Sequence, residues 1–190
     1  TFKSNENSTI SISTVQNYLS YLEDAFIIKT ARRYNVKGRK YIGSPCKYYF
    51  SDLGVRNAVI GFRQFEKTHL MENLLYNELL NRGFNVDVGV VTIKENTDRL
   101  DKNGNPIYAD NDTEVDFVAN KNGKIYYVQV ALEIPNEKKK DQEYKSIRNI
   151  PDSFKKIIVV KNEGKHYYTE EGFLRINLLD FLTNLNSLEW

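Results

Sequence analysis

Apolar positions along the chain follow two different periods, and the predicted elements follow from where one gives way to the other. Val15, Tyr18, Leu19, Leu22 and Phe26 recur at helical spacing behind Ser13-Thr14-Val15-Gln16, a capping-box pattern. This predicts an amphipathic helix from about Thr14 to Asp24. AFIIKTARRYNV and KYIGSPCKYYF are strand-like runs joined by Lys37-Gly38-Arg39, which predicts a two-stranded ribbon. Ser51 or Asp52 can cap a short helix reaching Val59 or Ile60, where Gly61 stops it. A second helix is expected from about Thr68 to Arg82, ending at Gly83. On its wheel Asn73, Asn77 and Asn81 cluster on one side and the leucines spread over the other.

FNVDVGVVTIKE then reads as a strand and the polar segment Asn96 to Asp112 as a loop or a partly mobile excursion before the hairpin. From Glu114 to Leu132, two apolar-rich runs flank Lys-Asn-Gly-Lys, a hairpin signal. In the second run Ile125, Tyr127, Gln129 and Ala131 share one face, and Tyr126, Val128, Val130 and Leu132 the other. Pro135 breaks that strand. NEKKKDQEYKSIRNI follows as a charged helix whose thin apolar stripe is Tyr144, Ile147 and Ile150. FKKIIVV is a continuous apolar run, as in a buried parallel strand; it is expected beside Ile125 to Leu132 with the charged helix as crossover. A last strand and a closing helix come from HYYTEEGFLRINLLDFLTNL. The expected fold class is α/β, a mixed sheet flanked by helices.

Composition narrows the classes. At 190 residues the chain can bury a core, and no apolar run approaches the roughly 20 residues of a membrane span. The expectation is a soluble protein with no membrane partner. A lone Cys46 excludes an internal disulfide and a cysteine zinc site and fits a reducing cytoplasm; two histidines argue against a histidine-rich metal centre. The opening TFKSNENSTI reads as a cut through a longer polypeptide. No G-x-x-x-x-G-K-[ST] occurs, so these residues supply no phosphate-cradling loop for ATP.

A formal charge of +2 names no partner, but its distribution is uneven. Lys29, Arg32, Arg33, Lys37, Arg39, Lys40 and Lys47 form a stretch with no acid, whereas Glu95, Asp98, Asp101, Asp110, Asp112, Glu114 and Asp116 crowd a later one. On the ribbon Arg32, Arg33, Lys37, Arg39 and Lys40 are candidates for phosphate contacts to DNA. The plainer reading is that an exposed ribbon needs charge to protect its edges. A helix followed by a basic ribbon is also the second half of a winged helix, and residues 1–50 are read as such a segment, truncated at its start.

Three further residues carry candidate chemistry. Asp116 stands between apolar neighbours, where a charge is costly unless paired. Glu72 falls on the apolar side of its helix, between Tyr76 and Leu79. It is expected either to join Asp116 around a cation or to pair with Arg82 or Lys67. Gln129 lies on the strand beyond the hairpin turn, and its amide oxygen can coordinate a hard ion. Glu78 is read as a salt-bridge partner and Asp52 as a helix cap.

TVQNYLSYLEDAFII, RRYNVKGRK, KYYFSDLGVRNA, LMENLLYNELLNRGFNVDVG, EVDFV, YYVQVAL, PDSFKKIIV and EGFLRINLLDFL together resemble the carboxy-terminal domain of unknown function that follows the AAA module in a group of bacterial and archaeal ATPases. The match runs in order over nearly the whole chain. It implies a winged-helix-like segment followed, over residues 51–190, by a restriction-endonuclease-like α/β domain, with ATP bound only by an upstream AAA module. Members with an intact nuclease-like site carry Glu-x-Lys on the second hairpin strand. Here those positions are Gln129 and Ala131. A nuclease of that type needs two carboxylates for a divalent ion such as Mg²⁺ and a lysine for the attacking water; the lysines able to reach the site are expected to be Lys121, Lys124 or those of the Glu137 to Lys145 helix. The expected function is therefore a non-catalytic accessory module that binds nucleic acid or regulates. The alternatives are a metal-dependent phosphodiesterase using Glu72, Asp116 and Gln129, and a protein-interaction domain, for instance one that self-associates.

Overall fold

A computed structural model of the chain describes residues 10–63 and 65–190. Helix α1 (Ile12–Asp24) begins ahead of the Ser13 pattern, because Ser11 caps it and accepts the Thr14 N–H at 3.0 Å. Strands β1 (Ile28–Asn35) and β2 (Lys40–Phe50) form the expected antiparallel ribbon. Asp52 then caps α2 (Leu53–Val59), accepting the Val55 N–H at 2.9 Å. Neither α1 nor α2 has a buried residue, and Tyr18, Tyr21, Phe26, Val59 and Phe62 stay exposed.

Helix α3 (Lys67–Asn81) packs Met71, Leu75, Tyr76 and Leu79 into the larger core. The asparagines on its other side close the ribbon: Asn73 accepts the Phe50 N–H at 2.9 Å and donates to the Phe50 carbonyl at 2.8 Å, and Asn77 donates to the same carbonyl at 2.9 Å. Two side-chain amides thus satisfy the last backbone groups of β2.

Strands β3 (Asn85–Leu100) and β4 (Pro106–Lys121) correct the sequence reading, since Asn96 to Asp112 is not a loop. The two strands stay paired from Val91↔Thr113 through Asn96↔Tyr108 to Leu100↔Pro106. Cross-strand bonds such as Thr92 Oγ1 to Asp112 at 2.7 Å and Asn111 to Glu95 at 2.8 Å support this arm. The arm beyond Ile93 has no core to face, so its side chains are mostly exposed and carry no alternation to read.

At Asn122-Gly123 both residues adopt positive φ, the primed turn that suits strand twist, and β5 (Lys124–Ala131) returns beside β4. Helix α4 (Glu137–Arg148), capped by Asn136, crosses to β6 (Lys155–Val160), which runs parallel to β5 as the pattern predicts. The short β7 (Tyr167–Tyr168), then β8 (Leu174–Asn177) and α5 (Leu178–Thr183), complete the chain before a closing 3-10 turn at Ser187–Glu189.

The result is α/β: one mixed eight-stranded sheet in the order β2-β1-β3-β4-β5-β6-β8-β7. Side chains from one sheet face pack with α3 and with Phe181 of α5; those of the other pack with Tyr144 and Ile147 of α4. The ribbon is hydrogen-bonded into this sheet by parallel pairs from Arg33↔Val88 to Asn35↔Val90, so residues on either side of position 50 share it. Among the described residues no helix is long and apolar enough to cross a membrane.

One irregularity sets the site. Asp87 pairs with Val118 and Gly89 with Val115, so Val88 alone faces both Asp116 and Phe117. Such a bulge bends the strand and re-aims a side chain. Gly89 lets it pack, because a Cβ there would lie 2.9 Å from Val118 Cγ2 and 3.2 Å from Val115 Cβ. Gly89→Ala is therefore expected to destabilise the fold by about 1–3 kcal/mol, read as a lower urea midpoint with unchanged slope. A midpoint at or above that of the wild type would show that the bulge needs no glycine.

Candidate functional site

The β4–β5 ladder stops at Phe117↔Val128, at the bulge itself. Beyond it the strands part, and the Asp116 carboxylate takes the Val130 N–H at 2.8 Å. The parting opens a cleft of about 630 Å³, with Glu72, Asp116 and Gln129 in its wall and Lys139, Gln142 and Glu143 of α4 facing them. The three residues expected to form a site do converge. Gln129, only 8% exposed, keeps an Oε1 without a hydrogen-bond partner among the described residues.

Glu72 is held by groups the sequence reading did not name. Lys47 Nζ lies 3.0 Å from its Oε1, and the buried Tyr49 hydroxyl donates to the same oxygen. Lys47 also lies 3.4 Å from Glu114 Oε2, and Arg33 pairs with the other oxygen of that carboxylate. The Glu72 partners are thus neither Arg82 nor Lys67. Arg82 instead pairs with Glu78 at 2.7 Å. The signal for Lys47 was its position two residues from Tyr49: on a strand the two share a face, and Tyr49 is buried in a stack on Tyr76 with ring centroids 4.2 Å apart.

Electrostatics follow from this packing. Burial, then the neighbouring Glu72 charge, push the Asp116 carboxyl up to about 7, against the opposing pull of the Val130 N–H and Lys47. Burial alone would lower the Lys47 ammonium, but Glu72 and Asp116 outweigh it and raise it, so the amine stays charged. Burial and Glu72 likewise raise Tyr49, which remains a donor.

Of the other expected lysines, Lys138 and Lys139 line the cleft, whereas Lys121 and Lys124 are engaged elsewhere. Lys121 donates to the Arg82 carbonyl, and Lys124 pairs with Glu189 at 2.9 Å. Lys139 does line the cleft but pairs with Glu143 at 2.6 Å. The Mg²⁺ that the nuclease resemblance implies does not fit this set: among the described residues no three acid, histidine or cysteine side chains form a group able to hold a metal, and Glu72 already faces an ammonium.

On the ribbon Arg32, Lys37, Arg39 and Lys40 are exposed, with Arg32 over the Tyr41 ring at 5.9 Å. Arg33 is half-buried and turned to Glu114.

Comparison with known proteins finds relatives of the chain. A family described as a domain of unknown function (DUF8612) matches residues 3–66. The chain is 34% identical over 171 residues to an uncharacterized protein of Haemophilus influenzae, covering 89% of this chain and 36% of that protein. It is 29% identical over 180 residues to uncharacterized protein MJ1544 of Methanocaldococcus jannaschii, covering 92% and 34% respectively. The chain thus spans about a third of the length of these relatives. No solved structure is a significant match.

Because the folded Asp116 pKa stands above the ordinary value of 3.8, the native state holds a proton that the unfolded chain has released between pH 4 and 7. Its contribution to stability is therefore lost as pH rises through that window. Asp116→Asn is expected to flatten this fall relative to the wild type, measured as urea midpoints at either end. Parallel pH profiles for the two proteins would refute the assignment.

Proposed function

We propose that the chain is a non-catalytic accessory domain of a longer AAA-type ATPase polypeptide and binds DNA through the β1–β2 ribbon. The observation that carries this is the free basic edge. Lys37, Arg39 and Lys40 are exposed at and beside the ribbon turn, and among the described residues none of them has an ion-pair partner. Arg32 extends the same edge. Unpaired cations on a strand pair anchored in a larger sheet can neutralise phosphates at little cost in ordering.

Support for a longer polypeptide is the share of each relative that the chain covers. Support for a restriction-endonuclease-like core is the arrangement of α3, the β4–β5 hairpin, the α4 crossover and parallel β6 around Glu72, Asp116 and Gln129. Support for a winged-helix-like segment is α1 leading directly into the ribbon. The non-catalytic reading rests on Ala131, which removes the lysine of the nuclease pattern, and on Lys47, whose ammonium is committed to Glu72 and Glu114. The lone Cys46 suits work in a reducing cytoplasm.

Fluorescence anisotropy with a labelled duplex across a salt series tests the reading. The wild type is expected to weaken steeply with salt. Substituting Arg32, Lys37, Arg39 and Lys40 together by Ala is expected to reduce the log–log slope by roughly 0.9 for each phosphate contact removed. Equal affinity and slope in the two proteins would remove the ribbon from DNA binding.

A further inference from the structure

The ribbon carries more than charge on its exposed side. Tyr41, near the start of β2, is the direct cross-strand partner of Tyr34 on β1, and the two rings meet edge to face with centroids 5.5 Å apart. The Tyr41 hydroxyl donates to Asp87 Oδ2 on β3 at 3.2 Å, and the Arg32 guanidinium stands 5.9 Å from the ring centroid. Contacts from β1 and from β3 therefore fix the ring, yet the residue stays 58% exposed. A cross-strand aromatic pair that supports the ribbon accounts for the Tyr34 contact, but it leaves the open area of a tethered ring unused. Asp87, the acid that Tyr41 meets, is half-buried and also feels the Arg32 charge. The other charged side chains next to Tyr41 in the chain, Arg39 and Lys40, are exposed cations.

We propose that Tyr41 is a stacking platform for an unpaired nucleobase, so that the ribbon takes single-stranded DNA in preference to duplex. The inference rests on the DNA-binding reading above and names the form of DNA that the ribbon fits. In a duplex the bases are stacked on one another and present only their edges, beside the phosphates, to a protein. A tethered ring on a ribbon gains little from those. An unpaired strand offers the face of each base, and a base laid on an aromatic ring or a guanidinium is held whatever its sequence. Such a contact costs least where the platform has little freedom to lose, and the Asp87 hydrogen bond and the Tyr34 edge have already restricted Tyr41. Arg39 and Lys40, directly ahead of Tyr41 in the chain, and Arg32 on β1 supply cations for the phosphates of the same strand. Ring and charge thus serve one ligand, the backbone meeting the cations and a base meeting the ring.

The test compares three labelled probes of the same length by anisotropy with the 190-residue chain: oligothymidine, an abasic oligodeoxynucleotide that keeps the phosphates, and a duplex. Oligothymidine is expected to bind on the order of tenfold more tightly than the abasic strand, and more tightly than the duplex. Tyr41→Leu is expected to lose that advantage and to bind the two single strands alike, whereas Tyr41→Phe, which keeps the ring, is expected to retain most of it. Equal wild-type affinity for oligothymidine and the abasic strand would overturn the platform and leave phosphate binding by the ribbon standing. An undiminished advantage in Tyr41→Leu, or a wild-type preference for the duplex, overturns it as well. Binding to none of the three probes removes the DNA-binding reading and this inference with it. Should Tyr41→Leu not fold, the wild-type comparison of oligothymidine with the abasic strand, together with Tyr41→Phe, decides.

Discussion

The Val130 N–H is received by a carboxylate where sheet pairing would offer a carbonyl. That single bond marks the point at which β4 leaves β5, and much of the molecule is arranged around it. The bulge at Asp116 and Phe117 turns the carboxylate toward Val130, Gly89 leaves room for the bulge, and β5 goes on alone to pair with β6. The cleft follows because two strands that part leave a gap that α4 roofs only in part. A buried carboxylate in such a place must be compensated. The compensation comes from three directions: a backbone N–H, a lysine from the ribbon, and a proton that burial lets it keep to higher pH.

How far this could be read beforehand differs by element. The hairpin, the α4 crossover and parallel β6 were legible because each carries a clean period or an unbroken apolar run, and burial enforces both. Glu72, Asp116 and Gln129 were legible because polar groups among apolar neighbours stand out. The arm of β3 and β4 was not, since two strands exposed on both faces carry no hydrophobic alternation and are written in the same polar residues as a loop. Lys47 was missed for another reason. Its role is a long-range contact with Glu72, and a lysine in a basic stretch looks like solvent-facing charge unless its neighbour of the same face is known to be buried.

Charge in the ribbon serves two ends that the linear sequence does not separate. Arg33 and Lys47 turn inward to Glu114 and Glu72, while Arg32, Lys37, Arg39 and Lys40 remain outside. The inward pair lies within the strands, Arg33 in β1 and Lys47 in β2, and the outward Lys37, Arg39 and Lys40 lie at the turn. One acid-free stretch of sequence is thus divided by geometry into a fastening and an exposed edge.

The parallel pairing of β1 with β3 has a consequence for how the chain folds. Arg33 and Val88 meet across the whole return of β2 and helices α2 and α3, and only a short ladder rewards that closure. Closing so long a loop is entropically slow, whereas the β3–β4 and β4–β5 hairpins close locally. On that ground the ribbon, with an α1 that buries no residue of its own, is expected to dock after the sheet centre. In such a unit the Lys47 contacts to Glu72 and Glu114 are what tie β2 to α3 and β4.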